Sequence, residues 1–149
     1  MNGGLGILPA EYNIFYNNLI LIPAIAFIMS ACVKGILSWI VSKKFSLKDA
    51  LSSGGMPSVH SAVVTSLTTA VALKHGIYSD LFAISLGFTV IIIYDAINIR
   101  YEAGLHAVAI NQLKNSGEKF KESLGHLPSE AFAGSMLGIV ISLALYIPF

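Results

Sequence analysis

An all-α, polytopic membrane helix bundle is the fold that this sequence predicts, and three observations predict it. Of the 149 residues, 55% are hydrophobic and only 11% are charged, against about 25% charged in soluble domains. The mean hydropathy is +0.74. Four apolar runs are each long enough, at about 20 residues, to cross ~30 Å of hydrocarbon.

The first run covers Asn18 to Val41 and the second Pro57 to Leu73. The second is short, and Thr65, Ser66, Thr68 and Thr69 mark it as an interior helix with interhelical hydrogen bonds. The third covers Asp80 to Ile99 and the fourth Pro128 to Ile147. Between them lies RYEAGLHAVAINQLKNSGEKFKESLGH. It is too polar to span, and it opens as a short cytoplasmic amphipathic helix before a turn near NSGE. The length suits one membrane domain over residues 1–149. Only Glu11 is charged before the first run, and no basic leader precedes it, so no signal peptide is expected.

Lys and Arg set the orientation. Seven of the nine fall in two connections: Lys43, Lys44 and Lys48 after the first span, and Arg100, Lys114, Lys119 and Lys121 after the third. The second connection holds Lys74 alone. The basic connections belong in the cytoplasm, which leaves both termini outside. Trp39 and Tyr94 suit an aromatic belt at the cytoplasmic face. A net charge of +1 without a basic, aromatic-studded cluster gives no nucleic-acid partner. The single Cys32 excludes an intrachain disulfide and is expected to be a small buried apolar residue. Gly134 and Gly138, four apart in GSMLG, permit close helix contact, within the monomer or across a homodimer.

This orientation gathers polar groups from four segments at one membrane level: Lys34, Ser58, His60, Arg100, His126 and Glu130. Two helix mouths share a design. Pro57 and Pro128 each suit a first helical position, and each precedes a serine, Ser58 or Ser129. A helix start offers free N–H groups and a positive dipole end, a ready anion site. Gly54 and Gly55 let backbone approach a ligand closely. With Lys34 and the chain's one arginine, these features describe a pocket for a phosphate-like anion. Lys34 either lines a polar cavity or snorkels to the interface. His126 and Glu130, four apart, can share a hydrogen bond that leaves the other ring nitrogen as base or nucleophile. Asp95, Asn98, Glu102 and His106 fall on one helical face. That face can hold Mg²⁺ through oxygen ligands, or, as is commoner, pair with Arg100, Lys34 or water.

Together, Lys34, GGMPSVHSA, YDAINIRYEAG and LGHLPSE resemble the divergent type-2 phosphatidic acid phosphatase (PAP2) family, over about residue 14 to the end. These membrane proteins are related to acid phosphatases and vanadium haloperoxidases. The resemblance implies that His126 is the nucleophile, Glu130 its orienter and His60 the acid that protonates the leaving group. It implies that Lys34, Ser58 and Arg100 hold phosphate; Gly55 is expected to bring backbone to the same anion, with Asp95 and Glu102 as candidate support. It implies a lipid-phosphate phosphatase acting on a phosphomonoester or diphosphate headgroup, without metal or other cofactor, in a bacterial cytoplasmic membrane. Three departures stand beside it. No Arg-Pro follows Lys34 at the superfamily spacing, Val59 replaces a glycine, and Phe120 stands where a second arginine would. The missing guanidinium groups favour an alternative, a non-catalytic lipid-phosphate binder or transporter.

Overall fold

The computed structural model describes residues 14–43, 54–114 and 117–146. Glu11, Lys44, Lys48 and Ile147 lie outside them. The described residues form six helices: α1 (Ile14–Asn17), α2 (Leu21–Ser42), α3 (Val59–His75), α4 (Asp80–Ile97), α5 (Ile99–Leu113) and α6 (Pro128–Tyr146). Three helical stretches, Leu21–Ser42, Asp80–Leu113 and Pro128–Tyr146, are long and apolar enough to cross a membrane, with mean hydropathies of 2.0, 1.9 and 1.5. The second predicted span, α3, has 17 residues, about 26 Å at 1.5 Å per residue. It is short and polar because it is the interior helix, packed against α2, α4 and α6.

The first span begins later than the apolar run suggests. The single-turn α1 and a turn at Leu19–Ile20 precede α2. Pro23 falls in the first turn of α2, where its missing N–H is one of the unpaired donors anyway. Serine hydroxyls start the next two long helices: Ser58 accepts from the Ser61 amide at 3.3 Å, and Ser79 from the Phe82 amide at 3.2 Å. Pro57 therefore stands one residue before the cap rather than at the first helical position. A serine oxygen satisfies an unpaired amide, whereas proline only avoids creating one. Pro128 does open α6, as expected. Between α4 and α5, Asn98 (φ −116°, ψ −78°) departs from helical geometry and donates its side-chain amide to the Tyr94 carbonyl at 3.1 Å. The connection expected to begin as a helix does so as α5.

Hydroxyls hold α3 in place. The Thr68 and Thr89 hydroxyls are 2.7 Å apart, joining α3 to α4, and Thr65 donates to the Ser135 carbonyl of α6 at 3.2 Å. The tightest approach is α3 on α6. A Cβ at Gly134 would run into the Ser58 carbonyl, and one at Gly138 into the Ala62 carbonyl and the Thr65 hydroxyl. The glycine pair thus serves contact within the chain. Gly134→Val should force the two helices apart and cost roughly 1–3 kcal/mol, the usual penalty of overpacking. The check is the thermal midpoint of the purified protein in detergent, which must fall. Cys32, expected to be buried, lies on the exposed side of α2. Only a narrow stripe of that helix, Ile22, Pro23, Ala26, Ser30, Lys34 and Gly35, packs inward, and residue 32 falls off it. Trp39 and Tyr94 are exposed near the same end of the bundle.

Candidate functional site

The mouths of α3 and α6 are stitched together by backbone. The Ser58 amide donates to the Glu130 carbonyl at 3.0 Å. The Glu130 carboxylate turns back over its own helix start and accepts the Leu127 amide at 3.1 Å, the reach of an acidic residue at the third helical position. The same oxygen lies 3.0 Å from Nδ1 of His126. His126 is 2% exposed, and its backbone amide donates to the Ala96 carbonyl of α4 at 3.0 Å. Three helices therefore fix one imidazole.

With Nδ1–H donated to Glu130, the lone pair of that ring lies on Nε2. Nε2 is buried and has no hydrogen-bond partner of ordinary geometry, and the Gly55 backbone, close enough to hydrogen-bond the ring, favours its charged form. An unsatisfied buried polar atom costs about 1–3 kcal/mol. Burial holds His126 below the ordinary imidazole range, and the nearby Lys34 adds to this; the hydrogen bond and charge of Glu130 oppose it. The ring is accordingly neutral at neutral pH, the state that a nucleophile or base requires.

The second histidine faces the first. The rings of His60 and His126 meet edge to face, with centroids 6.1 Å apart. His60 is exposed, and Arg100, Lys34 and Asp95 lie within its electrostatic reach. Lys34 is 4% exposed, so its ammonium does not snorkel to the surface. A Cβ on Gly55 would sit 3.4 Å from Cε of Lys34. Gly55 has φ +89°, a conformation that side chains rarely adopt. A cavity of about 520 Å³ opens beside Lys34, bounded by Leu37, Val41, Gly54, Gly55 and Met56. A smaller one of about 220 Å³ lies behind Glu130 and is lined by Gly54, Tyr101, Glu122 and Ser123.

Other expected groups take different places. The Ser58 hydroxyl is fully buried and engaged with the Ser61 amide and hydroxyl, so its visible work is capping α3. Arg100, half exposed, hydrogen-bonds and ion-pairs through Nε with Asp95. Asp95 thus pairs with Arg100, the commoner of the two arrangements open to that helical face. The break at Asn98 interrupts the face, and among the described residues no group of three or more His, Cys, Asp or Glu has metal-binding geometry. Glu102 is exposed in the first turn of α5, away from the histidine pair's hydrogen bonds.

Sequence reasoning missed Asn111, a buried amide on α5 that grips the segment leading to His126. Its signal was available: it falls on the same helical face as Gly104 and Ala107, seven and four residues before it. It also missed Gly125, where a Cβ would collide with the backbone of Arg100 and Tyr101.

A bundle of apolar helices that encloses a histidine–carboxylate pair, a buried lysine and an arginine at one end defines a helical membrane protein with a polar site. The sequence profile of the Divergent PAP2 family matches residues 15–141, and the chain belongs to that family. The uncharacterized membrane protein YuiD of Bacillus subtilis (strain 168) is 41% identical over 139 residues, a match covering 80% of this chain and 88% of that protein. No solved structure matches the chain.

Proposed function

We propose that the protein is a lipid-phosphate phosphatase that hydrolyses a phosphomonoester or diphosphate headgroup through a histidine nucleophile. The observation that carries this reading is the buried Nε2 of His126, with Nδ1 held by Glu130 at 3.0 Å. Nε2 attacks phosphorus, the phosphorus–oxygen bond to the lipid breaks, and His60 gives its proton to the departing oxygen. Water then attacks the phosphohistidine and releases inorganic phosphate. Lys34 and Arg100 offset charge on the phosphoryl oxygens, and the start of α3 adds its dipole. The chemistry runs on side chains and helix dipoles. Family membership supports a phosphatase-related role; the substrate and the assignment of each residue are the proposal.

Purified protein in mixed micelles should release phosphate from at least one of phosphatidic acid, phosphatidylglycerol phosphate or a polyprenyl diphosphate. Binding of these lipids without any turnover would instead favour the binder or transporter.

The site is assigned to the cytoplasmic face of a bacterial cytoplasmic membrane because seven of nine Lys and Arg lie in the two connections beside it. Lys121→Cys in a Cys32→Ala background should be protected from impermeant thiol reagents in intact cells, whereas Tyr78→Cys should react. Both positions are exposed on the protein. The opposite labelling pattern would move the site to the outer face.

A further inference from the structure

His126 is delivered by a segment without regular secondary structure, residues 117–127. Such a segment does not hold a side chain to a fraction of an ångström by itself. The structure shows what restrains it. The Asn111 side chain, 6% exposed on α5, accepts the Phe120 amide at 2.8 Å through Oδ1. Its Nδ2 donates to the Phe120 carbonyl and to Oε1 of Glu122, both at 2.8 Å. One amide thus pairs with both backbone groups of Phe120, as a neighbouring β-strand would. Lys114 reinforces it: Nζ donates to the Glu118 carbonyl at 2.6 Å and lies 5.0 Å from the Phe120 ring centroid. Beyond Phe120 the segment lies flat on α5. A Cβ at Gly104 would meet the Glu122 carbonyl, and one at Gly125 the Tyr101 backbone. The next residue is His126, tied to Ala96.

We propose that Asn111 is a positioning residue for His126: it locks the 117–127 segment onto α5, so that the imidazole reaches Glu130 and His60 in a single geometry. The inference rests on the phosphatase reading for its effect on rate, but not for its effect on the imidazole. A displacement of about 1 Å from a remote change can cost on the order of 10²-fold in rate. The groups that face the His126 ring are Glu130 from α6, Lys34 from α2, His60 from α3 and the Gly55 carbonyl, so a loosened ring loses both its burial and its fixed partner.

The test uses the full chain in nanodiscs. Asn111→Ala should slow phosphoenzyme formation from p-nitrophenyl phosphate roughly 10–100-fold while KM changes little, the split expected when alignment rather than binding is lost. In ¹⁵N-histidine spectra the His126 titration should move up toward the ordinary imidazole value. Asn111→Asp keeps the acceptor for the Phe120 amide, loses both donors and sets a carboxylate against Glu122, so it should be as impaired. Adding Glu122→Gln should restore part of the loss, because that amide can donate to the new carboxylate. Wild-type titration and rate in Asn111→Ala overturn the proposal. Should Asn111→Ala fail to fold, Glu122→Ala removes one of the three bonds and leaves α5 intact. It must move the His126 titration in the same direction by less, and an unmoved titration overturns the proposal equally. If even the wild type never carries phosphate, the phosphatase reading falls, and the titration alone decides the role of Asn111.

Discussion

His126→Ala should abolish both turnover and covalent capture of phosphate, with lipid and with activated ester alike. The variant keeps the anion pocket, since Lys34 and Arg100 are untouched, so lipid-phosphate binding should survive. Loss of binding together with turnover would point to a collapsed site rather than a missing nucleophile. Glu130→Gln is the graded companion. Glutamine can still accept Nδ1–H, yet it can also turn its NH₂ toward the ring and favour the wrong tautomer, a change that costs up to ~10⁴-fold in the serine protease triad. The pH profile gives a sharper sign. His126 is held low chiefly by burial, and Glu130 pulls it upward. The wild-type acid limb of kcat/KM should therefore lie below the ordinary imidazole value of 6.5. Removing the carboxylate charge should push that limb to still lower pH while the plateau falls. An acid limb that moves to higher pH would show that Glu130 does not act on His126 as the geometry states.

His60→Ala should lower lipid hydrolysis by ~10²–10⁴-fold, the usual contribution of general acid catalysis. With p-nitrophenyl phosphate, whose leaving group scarcely needs a proton, formation of the phosphoenzyme should be nearly unchanged. The contrast arises because both rings stand at the same helix mouths, but only His126 has a carboxylate on Nδ1. His60 is exposed and lies edge-on to its neighbour, where it can meet a departing alkoxide. If His60→Ala loses the phosphoenzyme and His126→Ala retains it, the two roles are exchanged.

The helices were legible because membranes enforce long apolar runs, and the ends of α4 and α6 fall close to where the runs end. The polar cluster was legible for a related reason. A lysine in an apolar helix and histidines beside Pro-Ser stand out when little else is polar, and the basic connections said which ends come together. What the sequence hid is geometry that leaves no compositional trace. Pro57 and Pro128 look alike, yet only the second starts a helix, because the serine after the first caps α3 more effectively. Gly134 and Gly138 announced a close contact without naming the partner; the carbonyls of Ser58 and Ala62 supply it. Ser58 reads as a phosphate ligand from its neighbours, but its hydroxyl faces inward to Ser61. Asn111 passes as an ordinary polar residue until the segment it grips is seen folded back on it.

The backbone bond from Ser58 to Glu130 has a consequence for how the protein is made. Chains are synthesised from the N-terminus, and Glu130 follows Ser58 by 72 residues in the sequence. Until α6 emerges, the Thr65 hydroxyl of α3 lacks its Ser135 carbonyl, and the Ser58 amide lacks its Glu130 partner. The contact between α3 and α6 is therefore completed late in synthesis. Ribosome-stalled chains that end before Pro128 should be extracted and degraded, and release of α6 should rescue them.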